Sequence, residues 1–277
     1  MPTNKVLQKF DLTGQVAVVT GGAGLLGSEF CRTLAEAGAQ VVLADLDDQA
    51  AAQRAETLQS AGLKVFPLGL DVTNKVSVGE MVGTVVRQFS RLDILVNSAA
   101  LDPKFDPQHQ GGHSQSFEGF SLDAWNQALS VNLTGAFLCC QAAAQPMLEQ
   151  EHGVFINICS TYGLVGPDQR LYEREGEQGP RQYKPVYYSV TKAGILGLTR
   201  YLATYYAWKN IRANALTPGG VYNHHDDVFL KAYSARTVMG RMARHDEMNG
   251  ALLFLASEAS SYMTGANLVV DGGWTAW

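Results

Sequence analysis

The 277-residue sequence has few charged residues, only four cysteines and no apolar run long enough to span a membrane. Charged residues make up 17% of the chain, and the formal net charge is −5. Phosphate backbones and anionic lipids do not attract an acidic protein, so we expect neither nucleic acid nor a membrane as a partner. The first residues lack the apolar stretch of a secretory signal, which favours a cytoplasmic location.

The four cysteines, Cys31, Cys139, Cys140 and Cys159, lie in apolar segments without C-x-x-C spacing. We interpret them as reduced residues of the core. His224 and His225 are adjacent in a polar segment, where neighbouring residues rarely converge on one ion. No metal site is therefore predicted.

Short β-branched runs alternate with helical stretches along the chain. The predicted strands lie at 16–20, 39–45, 64–71, 92–99, 153–160, 211–218 and 267–273. The predicted helices lie near 25–37, 48–61, 74–90, 122–150, 187–209 and 246–257. Near-continuous apolar strands separated by helices indicate a parallel sheet covered on both faces. The sequence thus predicts a single α/β domain over residues 1–277, a Rossmann-type doubly wound sheet of about seven strands.

Three long polar or glycine- and proline-marked stretches interrupt this alternation, at 101–120, 161–186 and 219–245. Each follows a predicted strand, so all three should lie at the carboxyl edge of the sheet. Ligands bind at that edge in doubly wound folds, and long loops of compact domains are often functional.

A glycine-rich turn joins the first predicted strand to the first long predicted helix, in "VAVVTGGAGLLGSEF". Gly21, Gly24 and Gly27 recur every three residues, which allows a tight turn and a close approach of phosphate to the backbone. The N–H groups at the start of the helix, including those of Leu25 and Leu26, can bind that phosphate. The turn therefore predicts a dinucleotide site.

Asp45 ends the second predicted strand. A carboxylate there can accept hydrogen bonds from both adenosine ribose hydroxyls and would repel the additional phosphate of NADP. Leu46 and two aspartates follow, without a basic residue to offset that repulsion, so NAD is the predicted cofactor. Asp71 and Val72 are candidates for the adenine end of the same site.

Several ordered motifs, with the strand and helix context they require, resemble the short-chain dehydrogenase/reductase family in its single-domain branch. They are the T-G-x-x-G-x-x-G turn at 20–27, "NSAA" at 97–100, "VNL" at 131–133, Ser160, Tyr188-x-x-x-Lys192, "TPGGV" at 217–221 and "TGANLVVDGG" at 264–273. The resemblance covers almost the whole chain. It implies nicotinamide-dependent interconversion of a hydroxyl and a carbonyl, and assembly as a homotetramer or homodimer.

The resemblance also implies residue roles. The catalytic residues would be Asn132, Ser160, Tyr188 and Lys192, with Asn132 positioning a water that leads protons from Lys192 to solvent. Further cofactor contacts would come from Asn97, Ala99, Pro218, Gly219 and Val221, besides Tyr188 and Lys192. The sequence departs from the family pattern at Leu25, a position usually occupied by glycine, and at Asn223, where threonine is frequent. Ser160 and Tyr188 are also 28 positions apart, more than twice the usual spacing.

Two adjacent tyrosines, Tyr187 and Tyr188, raise the question of which one transfers protons. Positions i and i+4 share a helix face, so Tyr188 can point with Lys192 at one ligand. A phenol with its ordinary pKa is a poor base at neutral pH, but the Lys192 ammonium and a positive nicotinamide should lower that pKa. Tyr205 and Lys209 repeat the same spacing at the far end of the helix, and we interpret that pair as structural.

The additional residues between Ser160 and Tyr188 predict a polar insert at about 166–185, and a substrate loop follows at about 219–245. Arg170, Arg174 and Arg181 of the insert, together with Asn223 and His224, are candidate substrate contacts beside Ser160 and Tyr188. A polar rim suits a small, carbohydrate-like substrate. The alternatives are a 3-oxoacyl-thioester or other ketone reductase, a non-catalytic dinucleotide sensor, and a sugar-nucleotide epimerase or dehydratase.

Overall fold

The computed structural model describes residues 5–102, 116–173 and 182–277. Within them, seven parallel strands form one sheet in the order β3-β2-β1-β4-β5-β6-β7. The strands are β1 Val16–Thr20, β2 Gln40–Asp45, β3 Val65–Gly69, β4 Ile94–Asn97, β5 Gly153–Ile158, β6 Ile211–Pro218 and β7 Asn267–Val270. This confirms the predicted Rossmann-type doubly wound sheet. The strand order reverses between β1 and β4, where such sheets bind their ligands.

Helices cover both faces of the sheet. They are α1 Lys5–Gln8, α2 Leu25–Glu36, α3 Asp48–Ser60, α4 Lys75–Phe89, α5 Leu122–Leu129, α6 Ala136–Glu149, α7 Val186–Tyr205, α8 Asp227–Ser234 and α9 Asn249–Ala256. One core packs α2, α3 and α9 against one sheet face, and a second core packs α4, α6 and α7 against the other. Alternate strand residues serve the two cores, as the two-residue period of a strand requires. No described helix is long and apolar enough to cross a lipid bilayer.

The helical segments depart from the sequence pattern at three places. The helix predicted over 122–150 contains a π-helical turn at Ser130–Gly135, between α5 and α6. The helix predicted over 187–209 ends at Tyr205, and the chain then passes through left-handed conformations at Trp208 and Asn210. The loop at 219–245 contains α8, capped by the Asp226 carboxylate, which accepts from the Phe229 N–H.

Candidate active site

A cleft of about 580 Å³ opens at the carboxyl ends of the strands, within the usual size range of ligand pockets. It brings together most of the residues singled out from the sequence. Those that line it are Gly21, Gly24, Leu25, Leu26, Gly27, Asp45, Leu46, Asp71, Val72, Ala99, Ser160, Tyr188, Lys192, Pro218, Gly219, Val221 and Asn223.

The glycine turn is packed so tightly that side chains are excluded from it. Gly21 has φ +64°, and a Cβ there would lie 2.8 Å from the Ala99 Cα. A Cβ on Gly27 would lie 2.0 Å from the Gly21 carbonyl oxygen. Gly24 is the N-cap of α2 and has no side chain to cap the helix, so the first N–H groups of α2 remain available beside the cleft. This arrangement fits a pyrophosphate.

The carboxylate of Asp45 lines the cleft at the end of β2. It accepts hydrogen bonds from the N–H groups of Ala23 at 2.9 Å and Asp47 at 3.2 Å. Asp47 instead caps α3, because its side chain accepts from the N–H groups of Gln49 and Ala50. Of Asp45 and Asp47, Asp45 is therefore the residue whose carboxylate can reach a ligand in the cleft.

Thr20, the last residue of β1, holds the exit of β4 beside the glycine turn. Its hydroxyl oxygen accepts from the N–H groups of Ser98 and Ala99, both at 3.1 Å. The "NSAA" segment thus lies against Gly21, which explains why that position needs glycine.

The two adjacent tyrosines of α7 have different surroundings. Tyr187 is 8% exposed and packs against Phe120, with ring centroids 5.8 Å apart. Tyr188 lines the cleft together with Ser160 and Lys192. The structure therefore places Tyr188 in the cleft and Tyr187 outside its lining, and the role of Tyr188 in proton transfer stays a prediction. The second Tyr-x-x-x-Lys pair is not on one helix, since α7 ends at Tyr205.

The amine of Lys192 is buried and lies next to the tyrosine ring. Its Nζ donates to the Ile158 carbonyl oxygen at 2.9 Å and lies 5.8 Å from the centroid of the Tyr188 ring. The Ser160 hydroxyl accepts from the Tyr162 N–H at 3.3 Å. Burial lowers the pKa of Lys192 below its ordinary value, and the charge of Asp102 only partly opposes this effect.

The pKa of Tyr188 differs in direction from the sequence-based expectation. Burial raises it well above its ordinary value, and the Asp102 carboxylate raises it further, whereas a hydrogen bond with Ser160 lowers it. In the protein alone, desolvation and Asp102 therefore outweigh any effect of Lys192. A bound nicotinamide would add positive charge beside the phenol, so the predicted lowering in that complex stays a prediction.

Asn132 does not line the cleft. It lies in the π-helical turn, where its Oδ1 accepts from the Leu101 N–H at 2.6 Å and its Nδ2 donates to the Leu101 carbonyl at 3.1 Å. The same Nδ2 donates to the Thr191 hydroxyl at 3.3 Å. The side chain thus holds the segment after β4 against α7, in addition to any role in proton transfer.

Asn97 was predicted to contact the cofactor, and the structure does not place it in the cleft. It is the last residue of β4, and its side chain points into the core beneath the sheet edge. Its Nδ2 donates to the Asn157 Oδ1 at 2.8 Å and lies 3.1 Å from the Cys140 sulfur. The alternation of side chains along the strand explains the difference.

The substrate end of the cleft is largely aromatic. Its walls include Tyr162, Tyr172, Phe229 and Tyr233, backed by Trp274, which stacks on Tyr233 with a centroid distance of 4.3 Å. Tyr172 comes from the insert, and Phe229 and Tyr233 come from α8. Both loops predicted to contact the substrate thus line the cleft, and each contributes aromatic side chains to it.

The predicted charged contacts differ from this arrangement. The Arg170 side chain is 77% exposed and binds Asp168 through two hydrogen bonds, so it is not part of the lining. His224 also lies outside the lining, whereas His225 lines the cleft and stacks on Phe229 at 5.0 Å. Arg174 and Arg181 lie outside the described residues.

Sequence reasoning missed two charged residues of the cleft, Asp102 and Lys184. Both lie in segments predicted to reach the ligand edge, at 101–120 and 161–186. Nothing in the local pattern distinguished them from solvated loop charges.

Comparisons with known proteins agree with the fold. The family model described as enoyl-(acyl carrier protein) reductase matches residues 21–275. The chain is 35% identical to a cis-4-hydroxycyclohexanecarboxylate dehydrogenase from Sinomonas cyclohexanicum, covering 95% of this chain and 97% of that protein. It is 32% identical to a D-threitol dehydrogenase from Mycolicibacterium smegmatis, covering 96% and 95%.

Among solved structures, a gluconate 5-dehydrogenase from Burkholderia cenocepacia in complex with NADP and tartrate is similar, with a TM-score of 0.84 and 31% identity over 98% of each chain. The dehydrogenase relatives support an oxidoreductase that acts on CH–OH groups. Together with the sheet order and the glycine turn, these matches establish that the chain belongs to the short-chain dehydrogenase/reductase family.

Proposed function

We propose that the protein is an NAD-dependent oxidoreductase that interconverts a secondary alcohol and a ketone on a small, polar, carbohydrate-like substrate. The observation that carries the proposal is that Tyr188, Ser160 and Lys192 line the same cleft as the glycine turn. A nucleotide site alone would not require a phenol, a hydroxyl and an amine at its other end.

The chain's own residues divide the work of the reaction. During oxidation, the Tyr188 phenolate takes the proton of the substrate hydroxyl, and during reduction the phenol returns it to the carbonyl oxygen. Ser160 hydrogen-bonds the same oxygen and holds it in position. Lys192 holds the nicotinamide ribose, and its charge favours the phenolate. NAD supplies the hydride acceptor when bound.

The nucleotide end of the cleft supports NAD over NADP. Asp45 presents a carboxylate where the additional phosphate of NADP would lie. Among the described lining residues, the lysines and arginines are Lys184 and Lys192, and both lie beside the Tyr188 ring, at 4.0 and 5.8 Å from its centroid. We expect a higher kcat/KM with NAD than with NADP and a smaller ratio in Asp45→Ser. The similar gluconate 5-dehydrogenase was solved with NADP, so NADP is the alternative cofactor. A higher kcat/KM with NADP than with NAD would contradict the proposal.

The substrate end supports a small ring or short polyol. Aromatic walls supply apolar contact for the C–H faces of such a molecule, and a few polar groups fix its orientation. Names of relatives point the same way, since D-threitol is a polyol and gluconate is a sugar acid. Preference for an acyl thioester over polyols would contradict this substrate class.

The proposal includes assembly as a homotetramer or homodimer in the cytoplasm. An aromatic surface on α7 supports assembly, because Tyr201 and Tyr205 are 61% and 64% exposed and stack on each other at 5.5 Å. Light scattering would test it, and a monomer at micromolar concentration would contradict it.

The adjacent tyrosines supply a matched test of the mechanism. Tyr188→Phe should fold and bind NAD normally yet lose roughly 10²–10⁴-fold in turnover, the usual contribution of general acid–base catalysis. Tyr187→Phe removes the same atom one position away, outside the cleft lining, and should stay within a few-fold of the wild type. Near-normal turnover in Tyr188→Phe would remove that residue from the mechanism. A wild-type protein that binds NAD but oxidises no alcohol would indicate a dinucleotide sensor.

A further inference from the structure

An ion pair lies inside the cleft next to the candidate catalytic tyrosine. The Lys184 Nζ is 2.5 Å from the Asp102 Oδ1, and both residues line the cleft. The same Nζ lies 4.0 Å from the centroid of the Tyr188 ring. The Lys184 side chain is 8% exposed and that of Asp102 is 57% exposed, so the carboxylate is the more accessible partner.

Lys184 is anchored through its own backbone, and Asp102 through the backbone of the residue before it. Gln169 holds Lys184, since its Oε1 accepts from the Lys184 N–H at 2.8 Å and its Nε2 donates to the Lys184 carbonyl at 3.1 Å. Asp102 follows Leu101, whose N–H and carbonyl both bind the Asn132 amide. The pair is thus positioned by the fold and does not depend on two flexible surface side chains meeting.

The Asp102 carboxylate acts on groups all around the substrate end. It raises the pKa of Tyr172, Tyr188, Lys192 and His225, which come from the insert, α7 and the loop before α8. Burial is the largest cause of the shift in each of these groups, and for Lys192 and His225 it acts in the opposite direction. Asp102 and all four of these residues line the same cleft, so the carboxylate lies among the groups that a substrate would contact.

The chemistry of the pair selects among the substrates that the relatives' names suggest. An ionised carboxylate only accepts hydrogen bonds and an ammonium only donates them. A hydroxyl group can do both, so it can satisfy both partners at once. A substrate carboxylate would meet Lys184 only by approaching Asp102, and the like charges repel.

We propose that the Asp102–Lys184 pair recognises a second hydroxyl group close to the reacting one, so that the preferred substrates are neutral diols or polyols. This rests on the proposed function. Asp102 accepts a hydrogen bond from the second hydroxyl, and Lys184 donates one to the oxygen of that hydroxyl. The two residues determine specificity, and the proton transfer at the first hydroxyl stays with Tyr188.

The test compares three kinds of alcohol with the same enzyme and NAD. Cyclohexane-1,2-diols and threitol represent neutral diols, cyclohexanol and 2-butanol lack the second hydroxyl, and 4-hydroxycyclohexanecarboxylate and gluconate carry an acid. The wild type should show a kcat/KM for diols about 10- to 100-fold above that for the mono-alcohols, the value of a hydrogen bond to a charged group. The hydroxy acids should fall below the diols.

Variants of the pair separate recognition from stability. Asp102→Asn keeps the shape and removes the charge, so the diol-to-mono-alcohol ratio should fall about tenfold while the relative rate on hydroxy acids rises. Lys184→Gln, the second variant, should reduce the same ratio mainly through a higher KM for diols. Asp246→Asn alters an exposed ion pair with Arg244 outside the cleft lining and should leave the ratio unchanged.

Each outcome bears on one claim. Three results would overturn the recognition of a second hydroxyl while leaving alcohol oxidation intact. They are equal wild-type kcat/KM values for diols and mono-alcohols, a wild-type preference for hydroxy acids, and an unchanged diol-to-mono-alcohol ratio in both variants. Failure of the wild type to oxidise any alcohol would overturn the proposed function, and this inference with it.

Discussion

Replacing Gly27 with alanine would insert one methyl group between the first turn of α2 and the backbone of the glycine turn. The new Cβ would lie 2.0 Å from the Gly21 carbonyl oxygen, 2.8 Å from the Gly21 carbonyl carbon and 2.9 Å from the Gly22 Cα. Ordinary contacts of a Cβ begin near 3.4 Å, so the oxygen and the helix must separate by about 1.4 Å. All three atoms belong to the backbone, and none can rotate out of the way.

The cost should appear both in stability and in nucleotide binding. Overpacking of this kind lowers the free energy of unfolding by about 1–3 kcal/mol. The separation also moves the N–H groups of α2 away from the position where they would bind a pyrophosphate. Since those hydrogen bonds are made to a charged group, we expect NAD to bind at least about tenfold more weakly.

Gly79 offers a matched control in the same protein. It lies inside α4, where an added Cβ would meet nothing within 4 Å. Gly79→Ala should therefore raise the free energy of unfolding by about 0.5–1 kcal/mol and leave NAD binding unchanged. Urea unfolding and titration calorimetry with NAD measure both effects. Wild-type NAD affinity in Gly27→Ala would refute the role of this turn in holding the nucleotide.

Two further predictions concern the buried carboxylate of Asp93 and the pKa of Tyr188. The Asp93 side chain is 0% exposed, forms an ion pair with Arg91 at 2.7 Å and accepts a hydrogen bond from the Val16 N–H at 2.9 Å. Asp93→Ala should therefore lower the free energy of unfolding, measured with urea, by about 2–4 kcal/mol. A decrease below about 1 kcal/mol would contradict this prediction. Burial and Asp102 raise the pKa of Tyr188. The phenol must be deprotonated to take a proton from the substrate hydroxyl, so the rate of oxidation should increase as the pH rises. Reduction needs the protonated phenol, so its rate should increase as the pH falls. Removing the charge in Asp102→Asn should move the rising limb of the kcat/KM profile for oxidation to lower pH, and a shift to higher pH would contradict the reasoning.

The strands and the nucleotide end of the cleft could be predicted because their signals are local. A continuous apolar run such as "VAVVT" predicts a buried strand from its own residues. The bounds of β1 and β6 are those that the sequence predicts. Position 27 requires glycine because the Gly21 carbonyl oxygen, six positions earlier in the chain, leaves no room for a Cβ. The turn, the start of α2 and the close contact between them therefore all depend on one short segment of sequence. The spacing of Tyr188 and Lys192 is equally local, since it depends only on helix geometry.

The substrate end could not be predicted residue by residue, because its walls come from segments far apart in the chain. Tyr172 and Phe229 are 57 positions apart and meet with a centroid distance of 5.6 Å. Arg170, which the pattern favoured as a substrate contact, is instead neutralised by Asp168 two positions away. Local sequence cannot state which of several loop charges find a partner outside the cleft.

By itself, the sequence determined the doubly wound sheet, the glycine-rich turn and the spacing that puts Tyr188 and Lys192 on one helix face, since periodicity and spacing act over a few residues. The catalytic roles of Asn132, Ser160, Tyr188 and Lys192 are implied by the family resemblance and stay predictions. Tertiary structure alone decided that Asn97 faces the core, that Asn132 ties down Leu101, and that Asp102 meets Lys184 over the Tyr188 ring. The contacts of Asn97 with Asn157, of Asn132 with Leu101 and of Asp102 with Lys184 span 31 to 82 positions of the chain. They exist because strand pleat and helix packing bring the carboxyl ends of distant strands to one edge, where desolvation and nearby charge set the proton affinity of each group.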